Sequence, residues 1–283
     1  MEKCNLCPNL CNADRINSVG RCAVSGLKIA KYYLHPFEEP FISGKNGSGT
    51  VFFCGCPLRC VFCQNYEVSR NKTGKEITPL ELADIFKKLE NMNAENINLV
   101  NPTHYIPEII EAFEIYKPKI PIVYNTHSYE NIESLKLIDK YIDIYLPDIK
   151  FKNEKIAFRY TGKSNYFDYA AKAIEFMSKK PLVIENDMLK SGTVVRHLIM
   201  PLCTDDSLDI LEWYSRFKEY TYFSLMSQYT PFGEIENYPE LKRKITKREY
   251  NKVTDKLFSL DINNCFIQKL SSSDKIFIPK WDF

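Results

Sequence analysis

Residues 49–65 read GTVFFCGCPLRCVFCQN, and they join a short apolar run to four closely spaced cysteines. The run at 49–55 is rich in β-branched and aromatic residues, which predicts a buried strand. Directly after it, three of the cysteines stand as Cys56-x3-Cys60-x2-Cys63. Because thiolates select zinc, copper(I) or iron–sulfur clusters, this stretch predicts a metal site at the end of a strand.

The cysteine loop leaves the identity of the fourth metal ligand open. A structural zinc site is closed by four ligands, and Cys54 or the N-terminal cysteines are candidates for closing it. Three cysteines in so short a loop can instead bind three irons of a [4Fe–4S] cluster and leave the fourth iron for a small molecule. An open position at a metal generally indicates chemistry there.

The composition suits one large domain with a buried core, since 45% of the 283 residues are hydrophobic and 13% are aromatic. We expect no transmembrane helix, because no run of about eighteen apolar residues occurs, and no secretory signal, because residues 1–15 hold no apolar core. A net charge of +2 argues against a dominant attraction to nucleic acid or to a membrane. Ten cysteines in such a chain predict a cytoplasmic protein with metal sites rather than disulfides.

Short apolar runs alternate with amphipathic segments along most of the chain, which is typical of βα units around a parallel sheet. Strands are predicted at 49–55, 97–102, 121–126, 142–148, 192–200, 221–229 and 264–269. Helices are predicted at 77–92, 104–116, 129–140, 166–180, 205–217 and 247–259. The first helix begins at a capping box of Thr78 and Glu81. Six strand–helix repeats predict an α/β fold, either an incomplete (β/α) barrel or a doubly wound open sheet.

The cysteines are concentrated at the start of the chain, where eight of the ten fall within the first 63 residues. We therefore divide the chain into a cysteine-rich N-terminal metal-binding segment, residues 1–47, and a regular domain, residues 48–283. The segment contains the pattern Cys4-x2-Cys7-x3-Cys11-x10-Cys22, which is typical of a closed metal site. Its metal could be zinc or an auxiliary [4Fe–4S] cluster, and the spacing does not separate the two.

The Cys-x3-Cys-x-aromatic-Cys pattern after a first strand resembles the radical S-adenosylmethionine (SAM) superfamily. Longer stretches are similar to PflX-type members, which are relatives of pyruvate formate-lyase activating enzyme; among them are INLVNPTHYIPEI (97–109), IDIYLPDIKF (142–151) and VVRHLIMP (194–201). The resemblance implies a partial (β/α)6 barrel of radical SAM type with the cluster at its mouth. It also implies that SAM binds the open iron and is cleaved reductively to a 5′-deoxyadenosyl radical, with reduced flavodoxin or ferredoxin as electron donor.

Carried over residue by residue, the resemblance assigns the [4Fe–4S] cluster to Cys56, Cys60 and Cys63. It implies SAM contacts for Phe62, Asn101, Thr103, Asn125, Thr126, Asp148, Lys150 and Arg196. The stretch VNPTH (100–104) stands where the family has Gly-Gly-Glu, so backbone carbonyls or the Thr103 hydroxyl would have to accept from the SAM amino group. Asp148 and Lys150 match an Asp-x-Lys motif of activating enzymes.

Several of these residues have a purely structural alternative. Asp148 and Lys150 could form an ion pair without a ligand, and Arg196 could pair with a core carboxylate. The histidines near strand ends are interpreted as structural: His104, His127 and His197. The residues after the sixth strand either reach the substrate space or form a turn: Ser227, Gln228 and Tyr229. Cys203 and Cys265 are isolated and receive no role.

The leading functional hypothesis is a radical SAM enzyme that resembles glycyl-radical-enzyme activases and abstracts hydrogen from a carbon centre. Its substrate could be a partner protein, and the alternative is a small molecule or a peptide. A hypothesis from another class is a zinc-binding interaction or nucleic-acid module in which zinc closes both cysteine clusters. Basic residues concentrated around the clusters would favour that module, but in residues 1–35 they are scattered among acidic ones.

Overall fold

The computed structural model describes residues 3–15 and 18–270, and one ten-stranded sheet forms its centre. The strands are β1 (Lys28–His35), β2 (Ser48–Phe53), β3 (Lys75–Glu76), β4 (Ile97–Val100), β5 (Ile122–Thr126), β6 (Ile144–Pro147), β7 (Val183–Glu185), β8 (Met188–Leu198), β9 (Tyr222–Met226) and β10 (Cys265–Ile267). The helices are α1 (Pro40–Ser43), α2 (Tyr66–Ser69), α3 (Pro79–Asn91), α4 (Ile106–Ile115), α5 (Ile132–Ile138), α6 (Glu154–Thr161), α7 (Tyr166–Met177), α8 (Thr204–Tyr214) and α9 (Lys247–Ser259).

The order of the strands identifies the fold as a partial (β/α) barrel. Strands β2, β4, β5, β6, β8, β9 and β10 are neighbours in that order, and every pair among them is parallel. A doubly wound sheet would reverse its strand order at a switch point, and this order has no reversal. Six of these strands are each followed by one or two helices. The barrel is open because β10 and β3 end the sheet on its two sides.

Local signals in the sequence predicted most of these elements. The parallel strands lie at the predicted places, and α3 begins at the predicted capping box: the Thr78 hydroxyl accepts from the Glu81 amide, and the Glu81 carboxylate accepts from the Thr78 amide. A second capping box, Thr246 with Glu249, begins α9. Within the described residues no helix has both the length and the apolar composition needed to cross a membrane.

The antiparallel strands lie outside the βα pattern, and the sequence did not predict them. β1 pairs with β2, so residues 28–35 of the cysteine-rich segment belong to the main sheet. The division of the chain at residue 47 stays a prediction. β7 and β8 form a hairpin whose turn residues, Asn186 and Asp187, have φ of 51° and 62°. Asn and Asp tolerate this left-handed conformation better than most residues, which suits them to the tight turn.

The segment of residues 36–44, here called the floor segment, fills the inner face of the barrel. Phe41 and Ile42 in α1 pack with inward-facing residues of β5, β6 and β8. The Phe41 ring lies 4.9 Å from that of Tyr222 and 4.8 Å from that of Phe266. The helices α3, α4 and α5 cover the opposite face of the sheet. The floor segment therefore ties the N-terminal part of the chain to strands β5 to β10.

Replacing Phe41 with alanine should destabilise the protein by about 3–5 kcal/mol, because the buried ring would leave a cavity. The measurement is urea unfolding of both proteins. Phe258→Ala is the matched control: that ring is 61% exposed on α9, so its loss should change the free energy of unfolding by less than about 0.5 kcal/mol. Equal stability of Phe41→Ala and the wild type would contradict a floor segment packed inside the barrel.

Candidate active site

A cavity of about 260 Å³ lies at the carboxyl ends of the parallel strands. Residues at or just beyond the ends of β2, β4, β5, β6, β8 and β9 line it, together with Phe37 and Glu38 of the floor segment. The parallel strands of a (β/α) barrel all end on one side, and active sites collect there. This is the edge at which the sequence places polar and sulfur-bearing residues.

The cysteine loop brings Cys56, Cys60 and Cys63 to this cavity. Burial raises the pKa of the Cys56 thiol to about 11 and that of Cys60 to about 12, although the charge of Lys150 acts in the opposite direction. These thiols are therefore neutral until a metal displaces their protons. In the described ranges, no group of three or more Cys, His, Asp or Glu residues is spaced to hold a single metal ion. Each cysteine of a [4Fe–4S] site binds a different iron, so three soft donors in one cavity fit a cluster.

Cys54, a candidate fourth ligand, points away from the cavity. Its side chain is buried with Ile29 and Val68 in the core, and its thiol donates to the Thr73 carbonyl over 3.2 Å. None of the four N-terminal cysteines lines the cavity either. Within residues 3–15 and 18–270 the cavity thus contains three thiols and no fourth one. A metal centre held by these three thiols would therefore need a further ligand other than cysteine.

Contacts to backbone carbonyls hold the cysteine loop in shape. Gly55 has a φ of +78°, and a Cβ there would stand 2.4 Å from a carbonyl of the N-terminal segment, so only glycine allows this close approach. The Asn101 amide donates to the Gly55 carbonyl over 2.6 Å. Arg70 donates to the carbonyls of Arg59 and Cys60 over 3.1 and 3.3 Å. Distant side chains therefore position the loop that carries the cysteines.

A network of partly buried charges lines the same cavity. Arg196 donates through Nε to Asp148 over 2.8 Å and through Nη1 to Glu38 over 3.0 Å. Its Nη2 donates to the Asn125 side chain over 2.7 Å. Lys150 donates to the second oxygen of Asp148 over 2.9 Å. Burial raises the pKa of Asp148, but the charges of Arg196 and Lys150 outweigh it and hold that pKa below its ordinary value.

Lys150 lies between this network and the cysteines. Burial lowers its pKa, but Asp148 and then Cys60 outweigh burial, so the pKa is raised and the ammonium group stays charged. The side chains of Lys150 and Asp148 are only 20% and 19% exposed, so they are not a surface ion pair. A charged, partly buried ammonium beside three thiols can stabilise an anionic ligand group or a negatively charged cluster.

The cavity brings together seven of the eight residues for which the sequence implied SAM contacts: Phe62, Asn101, Asn125, Thr126, Asp148, Lys150 and Arg196. Thr103 is fully buried and does not line the cavity. Its hydroxyl donates to Glu130 over 2.7 Å, and the Thr126 hydroxyl donates to the same carboxyl oxygen. Burial raises the pKa of Glu130 to about 7, and the hydroxyl donors only partly offset this.

The histidines near the strand ends differ in their environments. His104 and His197 have structural roles, since their rings form hydrogen bonds with the backbone carbonyls of Cys54 (2.8 Å) and Ile149 (2.7 Å). His127 lines the cavity, and its Nδ1 accepts from a backbone amide of its own loop over 3.0 Å. Burial lowers the pKa of His127 to about 3, so the ring is neutral and Nε2 carries the proton. That Nε2 has no partner among the described residues.

Sequence reasoning missed the contribution of the floor segment to the cavity. Glu38 and Phe37 line it, and so does His35 at the end of β1. The signal was a pair of acids within the apolar stretch HPFEEPF (35–41). After β9, Gln228 reaches the cavity, whereas Ser227 and Tyr229 donate to backbone carbonyls elsewhere.

Replacing Arg196 with methionine should destabilise the protein without cofactors by about 3–5 kcal/mol at pH 7, because Glu38 would lose its cation and Asp148 would keep only Lys150. Urea unfolding measures the change. Lys136→Met is the control, since Lys136 pairs with Glu133 on the surface of α5 and its loss should cost less than about 1 kcal/mol. If Arg196→Met lowered the free energy of unfolding no more than this control does, the stability of the carboxylates in the barrel would not depend on Arg196.

Comparison with known proteins identifies relatives across most of the chain. The sequence profile of the radical SAM superfamily matches residues 50–214. An uncharacterized protein of Methanocaldococcus jannaschii is 29% identical over 276 residues, covering 92% of this chain and 76% of that protein. The pyruvate formate-lyase-activating enzyme of Clostridium pasteurianum is 28% identical over 187 residues, covering 62% of this chain and 72% of the enzyme.

Solved structures with the same fold include SuiB of Streptococcus suis. SuiB bound to S-adenosylmethionine matches with a TM-score of 0.53 at 15% identity, covering 80% of this chain and 51% of SuiB. SuiB bound to its precursor peptide SuiA matches with a TM-score of 0.52 at 15% identity, covering 76% of this chain and 46% of SuiB. The chain thus spans about half the length of SuiB, and at this identity the likeness shows the fold alone. Since the family profile covers more than half of the chain, this protein belongs to the radical SAM superfamily.

Proposed function

We propose that the protein is a radical SAM enzyme of the activating-enzyme type, which abstracts a hydrogen atom from a carbon centre of its substrate. The observation that carries the proposal is a cavity with three thiols, no fourth thiol among the described residues, and a partly buried ammonium beside them. When a reduced [4Fe–4S] cluster and SAM are bound there, they supply a 5′-deoxyadenosyl radical. Membership of the superfamily supports this chemistry.

The residues of the cavity have distinct roles under this proposal. Cys56, Cys60 and Cys63 would hold the cluster after losing their protons. Lys150 would form an ion pair with the carboxylate of SAM or offset the negative charge of the cluster. The side-chain oxygen of Asn101 is buried and has no partner among the described residues, so it can accept from the SAM ammonium group. This acceptor stands in the stretch that replaces the Gly-Gly-Glu motif of the family.

The remaining implied contacts depend on side chains that already have partners. Phe62 packs edge to face against Phe151 and Tyr160, with centroid distances of 5.8 and 6.2 Å, which would hold it beside an adenine ring. Arg196 uses three of its five N–H groups within the protein, so two remain for a ligand carboxylate. Asp148 would act mainly by keeping Arg196 and Lys150 in place.

We place the protein among the PflX-type relatives of pyruvate formate-lyase activating enzyme. The sequence resemblance along the chain and the similarity to the Clostridium pasteurianum enzyme support this placement. On this proposal the substrate is a glycine of a partner protein and the electron donor is reduced flavodoxin or ferredoxin. A small molecule or a peptide is the alternative substrate. The ten cysteines, all of them free, support a reducing compartment, for which we propose the cytoplasm.

We also propose that Cys4, Cys7, Cys11 and Cys22 bind a second metal, either zinc or a [4Fe–4S] cluster. A Cβ on Gly20 would stand 2.5 Å from the Cys11 sulfur and 3.8 Å from the Cys22 sulfur, so these two sulfurs approach each other. Burial raises the pKa of Cys7 to about 11, and the nearby Cys22 and Cys4 add to the rise. The four thiols therefore lie in one neighbourhood, but in the described residues they are not spaced around a single ion, so zinc would have to draw them together on binding.

The backbone around these cysteines supports a metal that holds it in place. The described residues from 3 to 27 form no helix or strand. Four non-glycine residues there adopt left-handed φ values, Leu10 at 44°, Asn12 at 52°, Arg15 at 57° and Ala23 at 64°. Such conformations cost free energy and persist only where other interactions impose them. A bound metal is the kind of interaction that stabilises so irregular a segment.

Replacing Cys60 with alanine should abolish release of 5′-deoxyadenosine from SAM in the presence of dithionite. The same variant, purified anaerobically, should lose about four irons, because one cluster ligand is missing. Cys54→Ala is the matched control, since this buried cysteine faces the core and both its iron content and its activity should resemble the wild type. Product release by Cys60→Ala, or its absence in Cys54→Ala with a folded protein, would contradict the assignment of the loop.

Replacing both Cys4 and Cys7 should lower the metal content by one zinc or by about four irons. The cluster of the cysteine loop should stay in place. Metal and sulfide analysis of anaerobically purified protein measures this and identifies the metal. The double variant of Cys203 and Cys265 is the control, because neither cysteine belongs to a motif. Unchanged metal content after removal of Cys4 and Cys7 would show that this segment binds none.

A further inference from the structure

A second concave surface lies on the outside of the cysteine loop. This groove has a volume of about 580 Å³, and four arginines from separate parts of the chain line it: Arg21, Arg59, Arg70 and Arg159. Arg21 comes from the N-terminal segment, Arg59 from the cysteine loop, Arg70 from the end of α2 and Arg159 from α6. We call this surface the arginine groove.

The cysteine loop forms the wall between the arginine groove and the cavity. The two share no lining residue: Val61 lines the groove, whereas its neighbours Cys60 and Phe62 line the cavity. Arg70 reaches across to the loop and donates to the carbonyl of Cys60 over 3.3 Å. A molecule bound in the groove would therefore touch the metal-binding loop from outside without entering the cavity.

The positive charges of the four arginines are only partly compensated by nearby carboxylates. Two carboxylates meet the four guanidinium groups: Glu234 lies 3.1 Å from Arg70, and Glu240 lies 2.6 Å from Arg159. The Arg70 side chain is only 6% exposed, and its Nη1 has no partner in the described part of the chain. Nε of Arg21 is likewise buried without a described partner. Four guanidinium groups against two carboxylates leave a net positive charge at this groove, which an anionic surface would complement.

The rim of the groove has the composition of a protein interface. Phe158 is 61% exposed beside Arg159, and Arg159 stacks on the Tyr238 ring at 5.0 Å. Arginine and aromatic residues are enriched where proteins bind one another and dominate the binding energy there. An exposed phenylalanine adds apolar contact area, which a small anion could not use. The groove therefore favours an acidic protein over a free anion.

We propose that the arginine groove is the docking surface for the acidic face of a small one-electron carrier protein. The inference rests on the proposed function, since a carrier is needed only if the loop holds a cluster. In the transfer the carrier loses one electron and the cluster gains it, with no bond formed and no proton moved. A substrate must instead reach the cavity, from which the loop separates the groove.

The first test is direct binding of oxidised bacterial flavodoxin and of a ferredoxin, measured calorimetrically at low and at high ionic strength. Replacing Arg21 and Arg159 with glutamine should raise the Kd of the preferred carrier about tenfold at low salt, and the difference should shrink as salt screens the charges. The control is Lys87→Gln with Lys88→Gln, which removes the same charge from the exposed face of α3 and should leave the Kd within about twofold.

A second variant, in which no charge changes, tests whether misfolding rather than loss of contact weakens carrier binding. Phe158→Ala removes an exposed ring, so its thermal unfolding should match the wild type while its carrier binding weakens several-fold. The proposal is wrong if both variants bind as the wild type does. It is also wrong if the wild type binds neither carrier.

The second test separates docking from chemistry. Dithionite reduces a cluster without a docking surface, so 5′-deoxyadenosine release driven by dithionite should stay within about twofold of the wild type in the double arginine variant. Release driven by reduced flavodoxin or ferredoxin should require about ten times more carrier. Equal loss with both reductants would overturn the docking role. If dithionite yields no product with the wild type, the proposed function fails, and the binding measurement still decides the groove.

Discussion

The ion pairs of Arg196 hold together the parts of the molecule that form the cavity. Its guanidinium group joins β8 to Asp148 at the end of β6 and to Glu38 in the floor segment. The Asp148 and Arg196 backbones are also bridged, and the next amide, that of Ile149, donates to the Arg196 carbonyl over 2.8 Å. Because removing a charge from water costs several kcal/mol unless a partner compensates, these groups are stable in the barrel only together.

This network also determines the electrostatic character of the cavity. Asp148 is shared between Arg196 and Lys150, which leaves the Lys150 ammonium facing Cys60. Three thiols, a charged ammonium and an amide oxygen of Asn101 that has no partner among the described residues then surround one space. Such a space can take up a negatively charged cluster and a ligand that bears both an ammonium and a carboxylate group.

The cysteine loop has two sides with different chemistry. Its inner side carries the thiols, and its outer side carries Arg59 and faces Arg70 and Arg21. The loop keeps this shape because Gly55 lets the N-terminal segment approach closely and because Asn101 and Arg70 occupy loop carbonyls. The N-terminal segment is thus a structural support of the loop. If the proposed function and the proposed docking role hold, electrons enter and hydrogen is abstracted on opposite sides of one short peptide.

The sequence by itself determined the features that depend on neighbouring residues. The cysteine spacing, the capping box of Thr78 and Glu81 and the apolar runs of the parallel strands are all local, and polar residues past each strand predicted the side of the barrel that holds the site. The tertiary structure decided the rest: that Glu38 reaches Arg196, 158 positions away, that Thr103 points away from the cavity, and that four arginines converge. These outcomes depend on which face each side chain takes and on which distant segment packs against it, and residues close in sequence do not encode either.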